Sequence, residues 1–310
     1  MVMDQLLKSS DWLKTNPMPL RVGGGVYHAL PEPGDYTEKK HHHDFDELTV
    51  IAEGKGIHSI NNKNYAVQAG DVFVITQGHS HYFHHRENMV HLNVMYDMGR
   101  LPLTSPFLSA IPGFKAMFAL EPFLIKERNS VASLKLTPMQ LERVRHIWKI
   151  MQHEEKERLP GFEVIMINRF QELIVFLSRL YVGLHSNRKT RILAIENSMR
   201  LIDIHYAQPL TLEELYRKAG MSRPAFMKHF KESTGLSPMA YLTNTRIEKA
   251  CELLRNSNDS ITDIALSTGF SSSNYFARAF RKIMKTSPRA YRSLDHHPTR
   301  PLPVKPTEDL

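Results

Sequence analysis

Ile261-Thr-Asp-Ile-Ala-Leu-Ser-Thr-Gly269-Phe-Ser-Ser-Ser-Asn-Tyr-Phe-Ala-Arg-Ala-Phe280 decides the reading of the C-terminal third. Its spacing predicts a short helix from Ile261 to Thr268, a turn at Gly269 and a second helix from Ser272 to Lys285. Ser287-Pro288 closes the unit. A short helix, a glycine turn and a longer amphipathic helix make a helix-turn-helix. The same pattern occurs upstream. Thr211-Leu-Glu-Glu214 is a capping box opening a helix that ends at Ala219-Gly220, and Ser222 is expected to cap a second helix to about Ser233. Ser237-Pro238 then starts a helix to about Arg255 that joins the two copies. One such corner occurs in many helical bundles; two copies joined by a helix are far more specific.

Charge follows the same division. The chain has 310 residues, enough for about two domains. With 42% hydrophobic and 23% charged residues it can fill a core, which excludes a disordered chain. Of the net +8, residues 190–294 carry +7, residues 1–189 carry +2 and the last sixteen carry −1. That asymmetry is expected of a module that binds phosphates. The lone Cys251 excludes an intramolecular disulfide framework and fits a reducing compartment. It falls within the joining helix, where a small buried hydrophobe is expected. Met1 to Leu20 carries Asp4, Lys8, Asp11 and Lys14 and has no apolar stretch like that of a secretory signal. The densest apolar run, Leu173 to Leu177, is far shorter than a membrane span. A cytoplasmic protein with no membrane partner is expected.

Residues from about Leu20 to Tyr96 read as strands. Leu48–Ile51, Gly56–Ile60, Val72–Ile75 and Val90–Met95 are separated by turn residues, and Asn61-Asn62 fits a tight hairpin. The expectation is an antiparallel β-barrel over 20–112. Beyond Pro112-Gly113 the period becomes helical. Thr137-Pro-Met-Gln140 caps one helix, with Leu141, Val144, Ile147, Trp148 and Met151 on its apolar side. A second runs from about Phe162 to Val182 after Pro160-Gly161. The pair either covers the barrel or meets a second subunit, and 113–183 is assigned to dimerisation. Residues 184–194 are expected to be a linker, 195–294 the paired helix-turn-helix domain and 295–310 a flexible tail. The fold class is therefore α+β, a barrel followed by helices.

The segment Thr211 to Arg292, above all Ile261–Phe280 with Ser287-Pro-Arg-Ala-Tyr-Arg292, resembles the AraC/XylS transcription regulators. His41-His-His-Asp-Phe-Asp-Glu-Leu48, Gly54-Lys-Gly-Ile-His58 and Ala110-Ile-Pro-Gly-Phe114 resemble the sugar-sensing members that activate L-rhamnose genes. The resemblance implies that the second helix of each unit enters the major groove of double-stranded DNA. The groove-facing residues would be Arg223, Pro224, Ala225, Met227 and Lys228 in the first, and Ser273, Asn274, Ala277 and Arg278 in the second. Three of the first five have no side-chain donor or acceptor, so that helix would read thymine methyls, with Arg223 or Lys228 on a guanine or a phosphate. Asn274 fits adenine and Arg278 fits guanine; Lys228 and Arg278 are alternatively phosphate contacts alone. The joining helix, Pro238 to Arg255, would be ~27 Å long. That length sets the recognition helices about one DNA turn, ~34 Å, apart. Phe226, Phe230, Phe276 and Phe280 recur at helical spacing and are expected in the core.

The histidines lie elsewhere, ten of seventeen before residue 100. His41-x-His43-x3-Glu47-x6-Gly54 fits the first cupin motif, and Gly70-x5-Thr-x-Gly78-x2-His81 resembles the second, with Thr76 where cupins have proline. Strand alternation would put His41, His43 and Glu47 on one face, and a barrel would bring in His81. Three readings of this set stay open: a divalent-metal site, direct hydrogen bonds to the hydroxyls of a small polar ligand, or a structural role. His42 should point outward, and His79, His84 and His85 should lie at the rim or surface.

The leading functional reading is a transcription regulator, an activator by the resemblance. It would bind a monosaccharide such as rhamnose in the barrel, form a homodimer, contact RNA polymerase, and need no cofactor unless the barrel holds a metal. The rivals are a metal-dependent cupin enzyme fused to a DNA-binding domain and a DNA binder without a ligand. The enzyme would need an open coordination position on that metal, and Gly23-Gly-Gly25 lacks the continuation of a phosphate loop. A ligand-free binder would leave the histidine-lined barrel without a purpose.

Overall fold

The computed structural model describes residues 5–7, 20–27, 40–98, 100–101, 108, 110–123, 133–183 and 187–294. The chain divides into two compact units, Met1–Ser186 and Asn187–Leu310. The expected tail, 295–310, lies outside the described residues.

The first unit is built on one eight-stranded sheet. Its strands are β1 (Gln5–Leu7), β2 (Leu20–Tyr27), β3 (His41–His43), β4 (Asp46–Ile60), β5 (Lys63–Gln68), β6 (Asp71–Ile75), β7 (His81–Tyr96) and β8 (Leu134–Lys135). The two long strands, β4 and β7, pair antiparallel along their length; β2 and β3 add to β7, and β5 and β6 add to β4. The hairpin turn at Asn61-Asn62 forms with both residues at positive φ, which asparagine tolerates. Two short strands fall outside the 20–112 boundary: β1 pairs parallel with β3, and β8 pairs with β6. The sheet therefore recruits pieces too short to show a period in sequence. One of its faces encloses a core of Ile51, Ile60, Tyr65, Val67, Phe73, Ile75, Phe83 and Met89.

Helical turns α1 (Ala116–Leu120) and α2 (Glu121–Phe123) precede α3 (Pro138–Glu157) and α4 (Phe162–Val182). Thr137 and Gln140 form the expected capping box on α3. Polar contacts fasten α3 to the sheet. Arg145 donates to the Ala52 carbonyl (2.6 Å), Trp148 Nε1 donates to the Asn93 carbonyl (3.3 Å), and Glu155 accepts from Arg21 and from the Val22 amide (both 2.6 Å). On α4, Phe170 meets Tyr96 at 4.9 Å between ring centroids. The helix pair thus covers the sheet. Exposed apolar side chains remain beyond that contact, including Val164, Ile165 and Val182.

The second unit opens with α5 (Asn187–His205), which begins inside the expected linker 184–194. Ile192, Ile195, Met199 and Ile202 bury one stripe of it, so residues 187–194 belong to a helix of this unit, while 184–186 lie outside the described residues. Then come α6 (Leu212–Lys218), α7 (Arg223–Thr234), α8 (Pro238–Asn256), α9 (Ile261–Ser267), α10 (Ser273–Met284) and α11 (Pro288–Leu294). The repeat is visible hydrogen bond by hydrogen bond. Thr211 caps α6 through the Glu214 amide as Ser260 caps α9 through the Asp263 amide. The Met221 amide returns to the Tyr216 carbonyl at 3.1 Å, as the Phe270 amide does to the Ala265 carbonyl at 3.0 Å. Both are six-residue returns past a left-handed glycine, the Schellman arrangement. Ser237 and Ser287, each followed by proline, cap α8 and α11. One expected cap is absent: Ser222 occupies the N-cap position of α7 but its side chain makes no capping bond, whereas Ser272 caps α10.

Candidate functional site

The sensor-side site is a chain of buried imidazoles. His43 lies on β3, His58 on β4 and His81 on β7, at 1%, 0% and 2% exposure. His43 Nδ1 sits 2.7 Å from the Phe45 carbonyl oxygen, His43 Nε2 lies 3.1 Å from His81 Nε2, and His81 Nδ1 lies 3.0 Å from His58 Nε2. A carbonyl can only accept, which fixes the proton order for neutral rings. His43 carries its proton on Nδ1, so His81 donates from Nε2 and His58 donates from Nε2. Burial keeps the rings neutral: it lowers His43 to about 4 and pushes His58 and His81 well below the ordinary histidine value. His58 Nδ1 ends the chain as a buried acceptor with no partner among the described residues. The rings are clamped by aromatics, His43 stacking on Phe45 (4.2 Å) and His58 on Phe83 (4.1 Å).

Glu47 adds a carboxylate. Its Oε2 is 3.7 Å from His43 Nε2, and its Oε1 accepts from the Thr49 hydroxyl at 2.8 Å. Ligand atoms of His43, Glu47 and His81 all lie within 4.8 Å of one another. His41, expected as a fourth member, is outside this set; its ring is 4.5 Å from that of His81 and the residue is partly exposed. His79 and His84 are partly exposed and His85 is exposed.

Sequence reasoning missed His58, because a bulge decides which way it faces. From Glu47, strict alternation turns residue 57 inward and His58 outward. Irregularities between Ile51 and Ile57 shift the pairing of β4 with β7 by one residue, so that His58 faces Phe83. Gly54 makes this possible: it sits at φ +65, and a Cβ there would lie 2.2 Å from the Glu87 carbonyl oxygen. Thr49 and Asn93 were missed as well. They are directly paired across β4 and β7, and Gly23 pairs with Asn93 from the other side. The Asn93 Oδ1 is buried without a partner among the described residues.

In the second unit, Phe226, Phe230, Phe276 and Phe280 are fully buried. This leaves Arg223, Pro224 and Lys228 exposed on α7 and Asn274 and Arg278 exposed on α10. Ala225, Met227, Ser273 and Ala277 are half-buried beside them. Lys228 is 3.9 Å from Glu232 on its own helix, a loose exposed pair. Tyr275, not foreseen, is 44% exposed next to Asn274, and Arg281, Lys282 and Lys285 continue the exposed basic surface. The two copies are tied together through the loop after α5. Arg246 on α8 donates to the Tyr206 carbonyl (2.7 Å) and the Gln208 carbonyl (2.9 Å), and the Gly269 turn packs on Tyr206 and Ala207.

Comparison with known proteins agrees with this division. Residues 22–160 match the AraC-like ligand binding domain, and residues 215–293 match a helix-turn-helix domain. The chain is 30% identical over 293 residues to the HTH-type transcriptional activator RhaS of Klebsiella pneumoniae (strain 342), covering 93% of this chain and 96% of that protein. It is 30% identical over 255 residues to the protein of the same name from Enterobacter sp. (strain 638), covering 82% and 87%. Among solved structures, the DNA-binding domain of AdpA in complex with a target DNA is 30% identical, with a TM-score of 0.32, over 33% of this chain and 91% of that one. No described helix is long and apolar enough to cross a membrane. A match to the AraC-like ligand binding domain, followed by a duplicated helix-turn-helix, is shared with the transcriptional activators found above: the chain belongs to the AraC family of transcription regulators.

Proposed function

We propose that this chain is a sugar-responsive transcription activator. Residues 5–183 form the sensor and residues 187–294 bind DNA. The observation that carries the sensor half is a polar strip inside the sheet: His43, Glu47, Thr49, His58 and His81 are buried together. Closely spaced donors and acceptors on an apolar wall suit the hydroxyls of a monosaccharide. His41 at the partly exposed end of the set belongs to the mouth of this site. The local resemblance to regulators of L-rhamnose genes makes that sugar the first candidate.

On the DNA side, α7 and α10 enter successive major grooves. Arg223, Pro224, Ala225, Met227 and Lys228 face one, and Ser273, Asn274, Ala277 and Arg278 face the other. The duplicated glycine turns support this, because the same six-residue return precedes each of the two helices. Relatives named transcriptional activators support activation, and with it contact to RNA polymerase in the bacterial cytoplasm. The apolar residues left on α4, Val164, Ile165 and Val182, support a homodimer through that helix.

A thermal-shift screen of the full-length chain against monosaccharides, with and without a chelator, tests the sensor half. A ligand at ~100 times its Kd adds about 2.7 kcal/mol, enough for a shift of several degrees. One sugar should stabilise the protein and change its affinity for promoter DNA. If no sugar moves the transition, the sensor reading fails while the DNA-binding reading stands.

A further inference from the structure

We infer that Arg246 is a positioning residue for DNA recognition: together with the loop Tyr206–Gln208 it fixes the spacing at which α7 and α10 meet the duplex. The inference rests on the proposed placement of those two helices in successive major grooves. Helix α8 joins the two copies as a rod does. A rod fixes a distance, but fixing the relative rotation of the bodies at its ends takes contacts off its axis.

Those contacts converge on the loop after α5. Helix α5 packs on α6 and α7 of the first copy, where Ser198 Oγ donates to the Leu215 carbonyl at 2.9 Å. Its last residues therefore move with that copy. From α8, Arg246 reaches the loop with two arms of its guanidinium, Nε to the Tyr206 carbonyl (2.7 Å) and Nη2 to the Gln208 carbonyl (2.9 Å). A planar fork fixes a direction as well as a distance. It also meets the C-terminal end of α5, where a helix leaves carbonyls unpaired and favours a cation. The second copy closes on the same loop from its own side. A Cβ on Gly269 would lie 2.8 Å from the carbonyl oxygens of Tyr206 and Ala207, so the turn that leads into α10 lies directly against them. The Arg246 guanidinium stands 5.9 Å from the centre of the Phe270 ring, and Phe270 packs edge-on at 5.7 Å against Tyr275 in the first turn of α10. Arg246 is half-buried at this junction; burial lowers its pKa from the usual arginine value and Tyr275 opposes that shift. Capping α5 alone would need only the two carbonyl bonds. It would not need the Gly269 turn and Phe270 to converge on the same loop.

The test is fluorescence anisotropy of the full-length chain on three labelled duplexes. One carries the site that the wild type selects from a random pool; the others have one base pair added or removed between its two contacted segments. One base pair turns the segments by about 34° and shifts them by about 3.4 Å. Two linked readers that engage together gain about 100-fold or more over one, so the wild type should lose that factor on either altered duplex. Arg246→Met should bind the unaltered site about 3- to 10-fold more weakly and lose less than about 5-fold on the altered ones. The conservative Arg246→Lys keeps the charge without the fork and should relax the spacing in the same way. Cys251→Ala, which removes a buried sulfur from the same helix, should keep the wild-type discrimination. Far-UV circular dichroism identifies variants that fold. A folded Arg246 variant that discriminates spacing as the wild type does overturns the inference and leaves the two-groove placement standing. So does a Cys251→Ala that relaxes spacing equally, since lost stability would then explain the effect. A wild type that selects a single segment, or is indifferent to spacing, overturns the placement and the inference with it.

Discussion

Gly269 and Gly220 occupy the same position in the two copies of the helix-turn-helix, yet their surroundings differ. Both sit at positive φ, +87 and +63, where an L side chain is strained. A Cβ at Gly220 would meet nothing within 4 Å, whereas one at Gly269 would lie 2.8 Å from the carbonyl oxygens of Tyr206 and Ala207. Gly220→Ala should therefore cost only the left-handed backbone penalty, roughly 1–2 kcal/mol. Gly269→Ala must also displace backbone, and should cost roughly twice that or more; chemical denaturation of the two variants compares them directly. Cys251 offers a second residue-level check. It lies in the core formed by Ile247, Ala250, Leu254, Ile264, Phe276 and Phe280, and burial raises its thiol to about 11. The thiolate is the reactive form, so Cys251 should resist iodoacetamide at pH 8 in the native chain and react once denaturant opens the second unit. Rapid alkylation without denaturant would show that this core is open.

At the scale of elements, what could be read from sequence depended on whether an element carries its own period. The capped helices α3, α6 and α9 announce themselves through Thr137, Thr211 and the Ile261 stripe. The hairpin at Asn61-Asn62 does so through its turn residues. The start of α5 was hidden because Asn187-Arg-Lys-Thr190 is polar; its buried stripe begins only at Ile192. Strands β1 and β8, at three and two residues, are defined by their partners and not by any pattern of their own. In the candidate site, the spacing of His43 and Glu47 and the position of His81 were enough to bring them together, but His58 required the bulge at Gly54. Helix α10, which the proposed function sets in a major groove, carries the prediction at this scale. Arg278→Ala should cost about 1–3 kcal/mol and relax preference at one base position, and Asn274→Ala should do the same at another. Binding sites selected from a random DNA pool, for the wild type and each variant, measure this. A uniform loss across all sequences would assign Arg278 to phosphate alone.

At the scale of the molecule, the two units have separate cores. One is centred on Ile51, Phe73 and Phe83, the other on Ile247, Phe276 and Phe280. A substitution inside the sheet should therefore leave the DNA-reading surface folded, since it removes no contact from the second core. An effector can alter transcription only through different affinities for two states of the whole chain, so loss of effector binding must abolish the response in proportion. Glu47→Gln and His81→Ala should accordingly remove the sugar-induced thermal shift and the sugar-induced change in promoter affinity. The promoter affinity of the effector-free protein should stay within about threefold of wild type, which is less than ~1 kcal/mol. Fluorescence anisotropy with labelled promoter DNA, with and without the sugar, reads both quantities in one titration. A tenfold fall in effector-free affinity would mean that the sheet unit contributes to DNA binding directly. A sugar response that persists in both variants would place the effector away from the imidazole chain, while leaving the assignment of the helix-turn-helix pair intact.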